Sequence, residues 1–292
     1  MYIGSIETHA RIALNHYHNE ISEILPEHDI ITYYGSIFDH SPILLNDALK
    51  AEMDHLSGKQ KVAVLLTTGG GVVEAAEKMK DILRHFYKEV IFIIPEMAMS
   101  AGTILCMSGD DIYMGYASSL GPVDPQVPDK QGFLVPALGY LDKIAEIIEK
   151  SNNGTCSQAE YMVLANQDLG TLRRYEQAKD LSITLLKEWL VDYKFKNWVT
   201  HSNGQPVTHE EKIQRAVEIA GHFCDHNYWH SHGRYISMKT LQANPIRLRV
   251  IDIDQNQNLA FHVYEYHDLL RDYQRLTSAS CIIHTKNNLQ RS

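Results

Sequence analysis

The sequence predicts an α/β fold in which a parallel sheet is flanked by helices on both faces. Four segments have the composition of strands, and they span residues 28–36, 61–66, 89–95 and 110–115. The second and third are near-continuous apolar runs, which is typical of parallel strands that are buried on both sides. Between these two lies VVEAAEKMKDILRHF, residues 72–86, whose apolar residues recur at helical spacing. Alternation of buried strands with amphipathic helices indicates a parallel sheet.

A helix is also predicted between the first two strands. Ser41 can cap its N-terminus, and Pro42 can take its first position, where a missing backbone N–H costs nothing. The helical pattern then runs through residues 43–56 and stops at Gly58. Farther along, AMSAGTILCMSG at residues 98–109 predicts a short buried helix that follows the third strand.

The second half of the chain is predicted to be mainly helical. Two capping boxes, each a Ser or Thr followed three residues later by Glu, begin at Ser157 and Thr208. The remaining predicted elements are a loop at 118–132, helices at 138–150, 169–199, 212–223 and 267–276, a strand at 260–266 and a final apolar segment at 279–285. We therefore expect one large α/β domain at residues 1–200 and a mixed, largely helical C-terminal extension at residues 201–292.

Composition and charge restrict the possible partners. The 292 residues are 44% hydrophobic and 22% charged, which is ordinary for a globular protein with a sizeable core. The formal net charge is −9, with no clustered Lys and Arg of the kind that nucleic acids and anionic lipids require. We therefore expect neither nucleic acid nor a lipid surface as a partner.

The cysteines and the apolar segments favour a soluble protein of the cytoplasm. The four cysteines are far apart and form no CxxC motif, so neither a disulfide framework nor a cysteine-rich zinc site is indicated. The first 20 residues lack an apolar signal core, and no segment approaches the roughly 20 apolar residues of a membrane span. A reducing compartment fits this pattern best.

A run of three glycines follows the second strand. Strand, glycines and helix in this order also describe a phosphate-binding loop, but Glu74 stands where a dinucleotide fingerprint has its third glycine. The Lys-Ser or Lys-Thr pair of a P-loop is missing as well, and a carboxylate in the first helical turn repels phosphate. The alternatives that remain are a tight turn that needs glycine only for its backbone angles and a turn that offers backbone N–H groups to a substrate.

Ser100 follows the third strand and is flanked by small residues. Its position after Pro95 lets it begin a helix, whose N-terminal amides and dipole favour negative charge such as a tetrahedral oxyanion. The alternative is an ordinary N-cap serine in a strand-to-helix turn. Together with the glycine run, the pattern favours a serine nucleophile beside an oxyanion hole.

The residues around these two turns resemble a known family. TTGGGVVEAAEKM and IIPEMAMSAGTILCMSGDDIYMGYASSLGPVDPQV are similar to the serine dehydrogenase proteinase family, a branch of the Clp protease and signal-peptide-peptidase-like serine peptidases with a crotonase-like fold. The resemblance covers roughly residues 28–130 and is most specific at AMSAGT and LGPVDPQ. A weaker similarity to the family is seen in SHGRYIS around His232. Despite the family's name, nothing resembles a nicotinamide site, so we expect no cofactor.

The resemblance implies a role for several residues. Ser100 would be the nucleophile, and the backbone amides of Gly70 and Ala101 would be the oxyanion donors. Such a donor is typically worth about 100- to 1000-fold in rate. Gly69, Gly71 and Gly121 would belong to the substrate-binding loops.

The general base is left open by the sequence. Relatives use a His or a Lys, but the segment that corresponds to the Clp histidine reads GPVDPQ and offers only Asp124. Lys143 and Lys150 lie on the side of their helix opposite to its apolar face, and a basic lysine would need burial to lower its pKa. His232 is an alternative, because an imidazole ordinarily titrates near neutrality. Asp124 then either orients the base or holds its own loop.

Three further histidines raise the question of a metal. His222, His226 and His230 recur every fourth residue, which on one helix is a spacing that can bind zinc. There is no HExxH motif, and Gly221 weakens the helix, so surface or capping histidines are favoured and we expect no metal.

We therefore predict a serine peptidase that cleaves peptide bonds through an acyl-enzyme and works without ATP by itself. The resemblance implies a homo-oligomer, in which helices after the active-site loop pack on neighbouring subunits. Two other functions are retained: a peptidase-like scaffold that has lost its base, and an acyl-CoA enzyme of the crotonase type, in which two amides hold a thioester oxyanion and carboxylates do the acid-base work.

Overall fold

The computed structural model describes residues 2–52, 58–128 and 134–292. The strands are β1 (His28–Gly35), β2 (Lys61–Thr67), β3 (Glu89–Ile94), β4 (Met97–Ala98), β5 (Asp111–Met114), β6 (Ser119–Leu120), β7 (Gln126–Pro128), β8 (Leu134–Pro136), β9 (Ile236–Ser237), β10 (Ile251–Asp252), β11 (Cys281–His284) and β12 (Leu289–Arg291). The α-helices are α1 (Tyr2–Ile24), α2 (Ser41–Glu52), α3 (Val73–Phe86), α4 (Ala101–Met107), α5 (Ala137–Asn152), α6 (Gln158–Ala165), α7 (Leu169–Trp189), α8 (His209–Cys224), α9 (His226–Trp229), α10 (Met238–Gln242) and α11 (Gln257–Thr277).

The central sheet has seven strands in the order β10-β5-β3-β2-β1-β11-β12. The pairings from β10 to β1 are parallel, and β11 and β12 add an antiparallel edge. The parallel part confirms the fold class that the sequence predicts. Strands β9 to β12 come from the last 60 residues or so of the chain, and the division at residue 200 into a domain and an extension stays a prediction.

The two faces of the sheet carry separate hydrophobic layers. Along β2, Val62, Val64 and Leu66 pack with α2, α3, α4, α7 and α8, whereas Ala63 and Leu65 pack with α1 and α11. Successive side chains of a strand point to opposite faces, so a strand covered on both sides must be apolar throughout. This is the physical reason for the continuous apolar runs in the sequence.

Most predicted helices are confirmed, whereas the strand predicted near the C-terminus is wrong, and the predicted loop at 118–132 contains the short strands β6 and β7. Residues 260–266, predicted as a strand, lie inside α11. Their apparent alternation is part of a longer 3.6-residue pattern, in which residues such as Val263, Tyr266 and Leu270 are buried on one face. Asn256 caps this helix by accepting a hydrogen bond from the Leu259 N–H.

Helix boundaries follow local capping chemistry. The two predicted capping boxes are present at Ser157 and Thr208. The long helix predicted to reach residue 199 ends as an α-helix at Trp189 and continues as one π-helical segment, Leu190–Lys194. The predicted end of the helix after Pro42 falls partly on residues 53–57, outside the described residues. No helix in the described parts of the chain is both long and apolar enough to cross a membrane.

Candidate active site

Ser100 occupies a strained turn between β4 and α4. Its backbone has φ 51° and ψ −116°, a combination that is rare for a residue with a side chain. Such conformations cost about 1–3 kcal/mol and cluster at functional sites. Every residue of α4 is buried, whereas Ser100 itself is partly exposed. The turn therefore presents the hydroxyl-bearing residue at the carboxyl edge of the sheet, where parallel α/β folds place their ligand sites.

The glycine turn lies directly against this serine. A Cβ atom added to Gly70 would be 2.9 Å from Ser100 Cβ and 2.7 Å from the Met99 carbonyl oxygen. The two turns are joined by backbone hydrogen bonds, from Thr68 N–H to the Met97 carbonyl and from Met99 N–H to the Thr68 carbonyl. Two turns that are about 30 residues apart in sequence thus meet in the fold.

The backbone amides of this region differ in their availability. The Gly70 N–H donates to the Thr68 hydroxyl over 3.0 Å, so it could reach an oxyanion only if that bond opened. The amides of Gly71 and Ala101 have no hydrogen-bond acceptor among the described residues. Ala101 is the first residue of α4, where N–H groups are free of intrahelical partners and the helix dipole favours negative charge. The prediction of Gly70 as an oxyanion donor stays a prediction.

If the chain has the peptidase activity predicted from its sequence, we expect Gly70→Ala to lower that activity about 10- to 100-fold. The added methyl group would meet the Ser100 turn at distances shorter than van der Waals contact, and φ of +98° is unfavourable for alanine. A displacement near 1 Å at a catalytic group costs on the order of 10²-fold in rate. Gly69→Ala is the matched control, because nothing lies within 4 Å of an added Cβ there. Steady-state hydrolysis of a fluorogenic peptide measures both; equal activities would show that the close approach is unimportant.

His232 and Asp124 form a hydrogen-bonded pair of a partly exposed imidazole and a buried carboxylate. The ring Nδ1–H of His232 donates to Asp124 Oδ1 over 2.7 Å. The Asp124 side chain is only 3% exposed, whereas that of His232 is 27% exposed. The second carboxylate oxygen of Asp124 accepts a hydrogen bond from Gln126 Nε2 over 2.9 Å. With Nδ1 carrying its proton, Nε2 is left as an acceptor on the exposed side of the ring.

Ser100, Asp124 and His232 lie on segments that adjoin the same end of a small three-stranded sheet. Its order is β4-β6-β9, with Ala98 opposite Leu120 and Leu120 opposite Ile236. Asp124 follows Leu120 by four residues, and His232 precedes Ile236 by four residues. Ser100 follows Ala98 by two residues, so all three segments leave this sheet in the same region. No hydrogen bond joins Ser100 to His232 within the described residues, and the bond of the His232 ring that is present is the one to Asp124.

The segment before His232 is held by an aromatic anchor that sequence analysis missed. Trp229 is buried and donates its indole N–H to the His222 carbonyl over 2.7 Å. Arg234 lies over the same ring, 5.6 Å from its centre, and donates to the Trp229 carbonyl. The one feature of the sequence that could have indicated this anchor is a tryptophan within a stretch rich in histidine.

The two lysines proposed as alternative bases are engaged elsewhere. Lys143 pairs with Glu146 over 2.8 Å, and Lys150 pairs with Glu146 and Glu160 over 2.8 and 2.7 Å. Both lysines lie on the exposed side of α5. The hydrogen bonds that Lys150 donates to Glu146 and Glu160 raise the pKa of this lysine, which is the opposite of what a general base at neutral pH needs.

The remaining predicted residues have mixed surroundings. Gly69 and Gly71 are exposed at the glycine turn, and a Cβ on Gly71 would overlap the Ile37 carbonyl oxygen at 2.0 Å. Gly121 is buried against Met99, and its N–H donates to the Thr103 hydroxyl. Its part in substrate binding stays a prediction.

The three evenly spaced histidines do not share a helix. His222 lies in α8, which ends at Cys224, whereas His226 begins α9 and His230 ends it in the left-handed conformation. The zinc spacing that the sequence suggests is therefore broken by the turn at Asp225. Among the residues with described positions, no group of three or more His, Cys, Asp and Glu side chains is arranged to hold a metal ion.

Comparison with protein families identifies the chain. Residues 43–219 match the model of the ClpP-like SDH-type serine proteinases. The chain belongs to this family. The matched segment contains the glycine turn, Ser100 and Asp124, while His232 lies beyond it.

The chain is also similar to individual proteins. Two uncharacterized proteins of Methanocaldococcus jannaschii are 38% identical over 64% of the chain and 33% identical over 54% of it. The chain spans 60% and 51% of the lengths of these relatives.

Two similar solved structures are mutants of the 1510-N membrane-bound stomatin-specific protease, the second in complex with a substrate peptide. The first has a TM-score of 0.44 and 12% identity, and the match covers 79% of this chain and 81% of that one. The second has a TM-score of 0.45 and 14% identity, with 78% and 74% covered.

Proposed function

We propose that the protein hydrolyses peptide bonds with Ser100 as nucleophile, His232 as general base and Asp124 as the residue that orients the base. The observation that carries this proposal is the 2.7 Å hydrogen bond between His232 Nδ1 and the buried Asp124 carboxylate, in segments that flank β6 and β9 at the end of the small sheet where Ser100 follows β4. Membership of a serine proteinase family supports the same reaction class. A buried carboxylate beside a partly exposed imidazole is the arrangement that a Ser-His-Asp triad requires.

The reaction begins with attack of Ser100 Oγ on the scissile carbonyl carbon. The hydroxyl proton moves to His232 Nε2, and the carbonyl oxygen becomes an oxyanion. When the C–N bond breaks, the departing amine takes that proton, and the acyl group stays on Ser100 as an ester. Water then attacks the ester, again losing a proton to Nε2, and Ser100 recovers a proton as the peptide acid leaves.

Charge in this reaction develops next to backbone amides. The Ala101 N–H stands at the helix start, and the glycine turn offers a second donor, either Gly71 directly or Gly70 after its bond to Thr68 opens. Amides fixed by the fold need little reorganisation when the oxyanion forms, which is why such donors accelerate acyl transfer.

A direct assay separates this function from the two alternatives. The protein is incubated with an unstructured protein substrate, and new amino termini are identified by mass spectrometry, while calorimetry tests binding of coenzyme A. The proposal expects cleavage that a serine-reactive fluorophosphonate blocks, and no coenzyme A binding. A scaffold would cleave nothing, and an acyl-CoA enzyme would bind coenzyme A and resist the fluorophosphonate. We further propose a reducing, cytoplasmic setting, which the four unpaired cysteines suit.

We also propose that the protein assembles with further copies of itself through α6. This helix follows α5 and has no buried residue, yet it is rich in apolar side chains. Tyr161 and Met162 are 61% and 58% exposed, and Val163 is exposed beside them. α6 packs against α5 yet buries none of its residues, and such a helix with exposed apolar side chains is typical of an interaction surface.

Replacing Tyr161 and Met162 together with glutamate is expected to reduce the oligomer to monomers. Charge at the centre of an apolar contact is costly, whereas the monomer loses no buried packing. Light scattering after gel filtration measures the mass, and Val199→Glu is a control at an exposed apolar position outside α6. A monomeric wild type, or an unchanged mass of the double variant, would refute the α6 contact.

A further inference from the structure

Thr103 belongs to helix α4, and its side chain contacts the small sheet of β4, β6 and β9 beside the candidate site. It lies in the first turn of α4, three residues after Ser100, and its side chain is fully buried. Its hydroxyl oxygen lies 2.7 Å from the Ala98 carbonyl oxygen and 3.0 Å from that of Gly121, and it accepts the Gly121 N–H over 2.9 Å. One side chain thus connects β4, α4 and the segment that follows β6.

These contacts replace one backbone hydrogen bond that a regular pairing of β4 with β6 would have. The strands are parallel, with Met97 opposite Ser119, and Ser119 N–H donates to the Glu96 carbonyl. Hydrogen bonds in a parallel ladder recur every second residue, so the next N–H, that of Gly121, would bond the Ala98 carbonyl. Instead the Thr103 hydroxyl stands between these two groups and satisfies both.

The inserted hydroxyl also frees Ser100 from the sheet. In a regular ladder the Gly121 carbonyl would accept the Ser100 N–H, which would keep Ser100 in an extended strand. Here that carbonyl faces the Thr103 hydroxyl, and Ser100 turns with positive φ into α4. The Thr103 hydroxyl therefore separates the chain after β4 from the chain after β6. Ser100 lies on the first of these segments, and Asp124 lies on the second, three residues beyond Gly121.

We propose that Thr103 is a positioning residue, which sets the separation between the Ser100 turn and the Asp124–His232 pair. This role rests on the proposed peptidase function. Without the hydroxyl, the Gly121 N–H and the Ala98 carbonyl either stay unpaired or approach each other directly. Both outcomes change the distance that the Ser100 proton must cross to reach the imidazole, and the rate of proton transfer depends steeply on such geometry.

The test is a comparison of Thr103→Val, which keeps the shape and removes the hydroxyl, with Thr103→Ser, which keeps the hydroxyl. We expect kcat to fall at least about 10-fold in the valine variant with KM within about threefold, and the serine variant to recover most of the loss. Thr103→Ala serves the same comparison if the valine variant does not fold, because alanine removes the hydroxyl without placing a methyl group against the Gly121 N–H and the Ala98 carbonyl.

Thr32→Val is the matched control for lost stability. Thr32 is a buried strand residue whose hydroxyl donates to Tyr266 over 3.0 Å, on a face of the central sheet away from the site. We expect it to lower the melting temperature while kcat per folded molecule is unchanged. If Thr103→Val behaves like Thr32→Val, or if Thr103→Ser fails to recover kcat, the positioning role is wrong. A wild type that no fluorophosphonate labels would instead refute the peptidase function itself.

Discussion

Ser100→Ala is expected to abolish peptide hydrolysis, with a fall in kcat/KM of roughly 10⁴- to 10⁶-fold. Removing the attacking oxygen removes the acyl-enzyme route, and only transition-state binding by the backbone amides remains. The fold should be little affected, because the Ser100 hydroxyl makes no hydrogen bond among the described residues and alanine meets the same backbone strain. The measurement is cleavage of a fluorogenic peptide at matched concentrations of folded protein.

Ser108→Ala is the matched control for this substitution. Ser108 ends the same helix that Ser100 begins, and it is buried with its hydroxyl donating to the Leu105 carbonyl over 2.7 Å. We expect this variant to lose about 1 kcal/mol of stability and to keep its activity. Residual cleavage by Ser100→Ala above a thousandth of the wild-type rate, in a preparation free of other proteases, would point to a different nucleophile.

Asp124→Asn is expected to lower kcat about 10⁴-fold while the fold is retained. A carboxylate only accepts hydrogen bonds, so it keeps the proton of His232 on Nδ1 and leaves Nε2 free to take the serine proton. The amide can donate as well. Because Gln126 Nε2 already donates to the other oxygen of residue 124, the variant should turn its own carbonyl toward Gln126 and its NH₂ group toward His232. That arrangement favours the opposite tautomer of the ring.

Combined and control variants show whether the pair acts as a unit. We expect His232→Ala to be as inactive as Asp124→Asn and the double variant to be no worse, since residues that act together are not additive. Lys143→Gln and Lys150→Gln should retain activity, because both lysines are tied into exposed ion pairs with Glu146. If either lysine variant were inactive while Asp124→Asn stayed active, the general base would be a lysine of α5 and His232 would not be the base.

The regular parts of the fold were predictable because their signals are local. The continuous apolar runs of β2 and β3, and the capping boxes at Ser157 and Thr208, each specify one element within a few residues. The segment 260–266 was predicted wrongly because a short window does not separate a period of 2 from a period of 3.6 when aromatic and apolar residues are frequent.

The candidate site was predictable only in part, since its members come from distant segments. Ser100 and the glycines carry backbone signals that can be seen in the sequence, whereas the contact between Asp124 and His232 depends on the register of β6 and β9, more than 100 residues apart. The proposed role of Thr103 depends on its hydroxyl taking the place of a backbone hydrogen bond between two strands. The sequence around a threonine in a helix does not reveal such a contact. The engagement of the Gly70 amide by Thr68 likewise appears only in three dimensions.

The most direct test of the account is the site of covalent labelling by a fluorophosphonate. The intact wild-type protein is treated with the probe, digested and mapped by mass spectrometry, with the Asp124→Asn variant treated in parallel. The account predicts one phosphonylated residue, Ser100, and labelling at least 100-fold slower in the variant. Labelling of any other residue, or equal rates in the two proteins, would contradict the claim that Ser100 is activated by the Asp124–His232 pair.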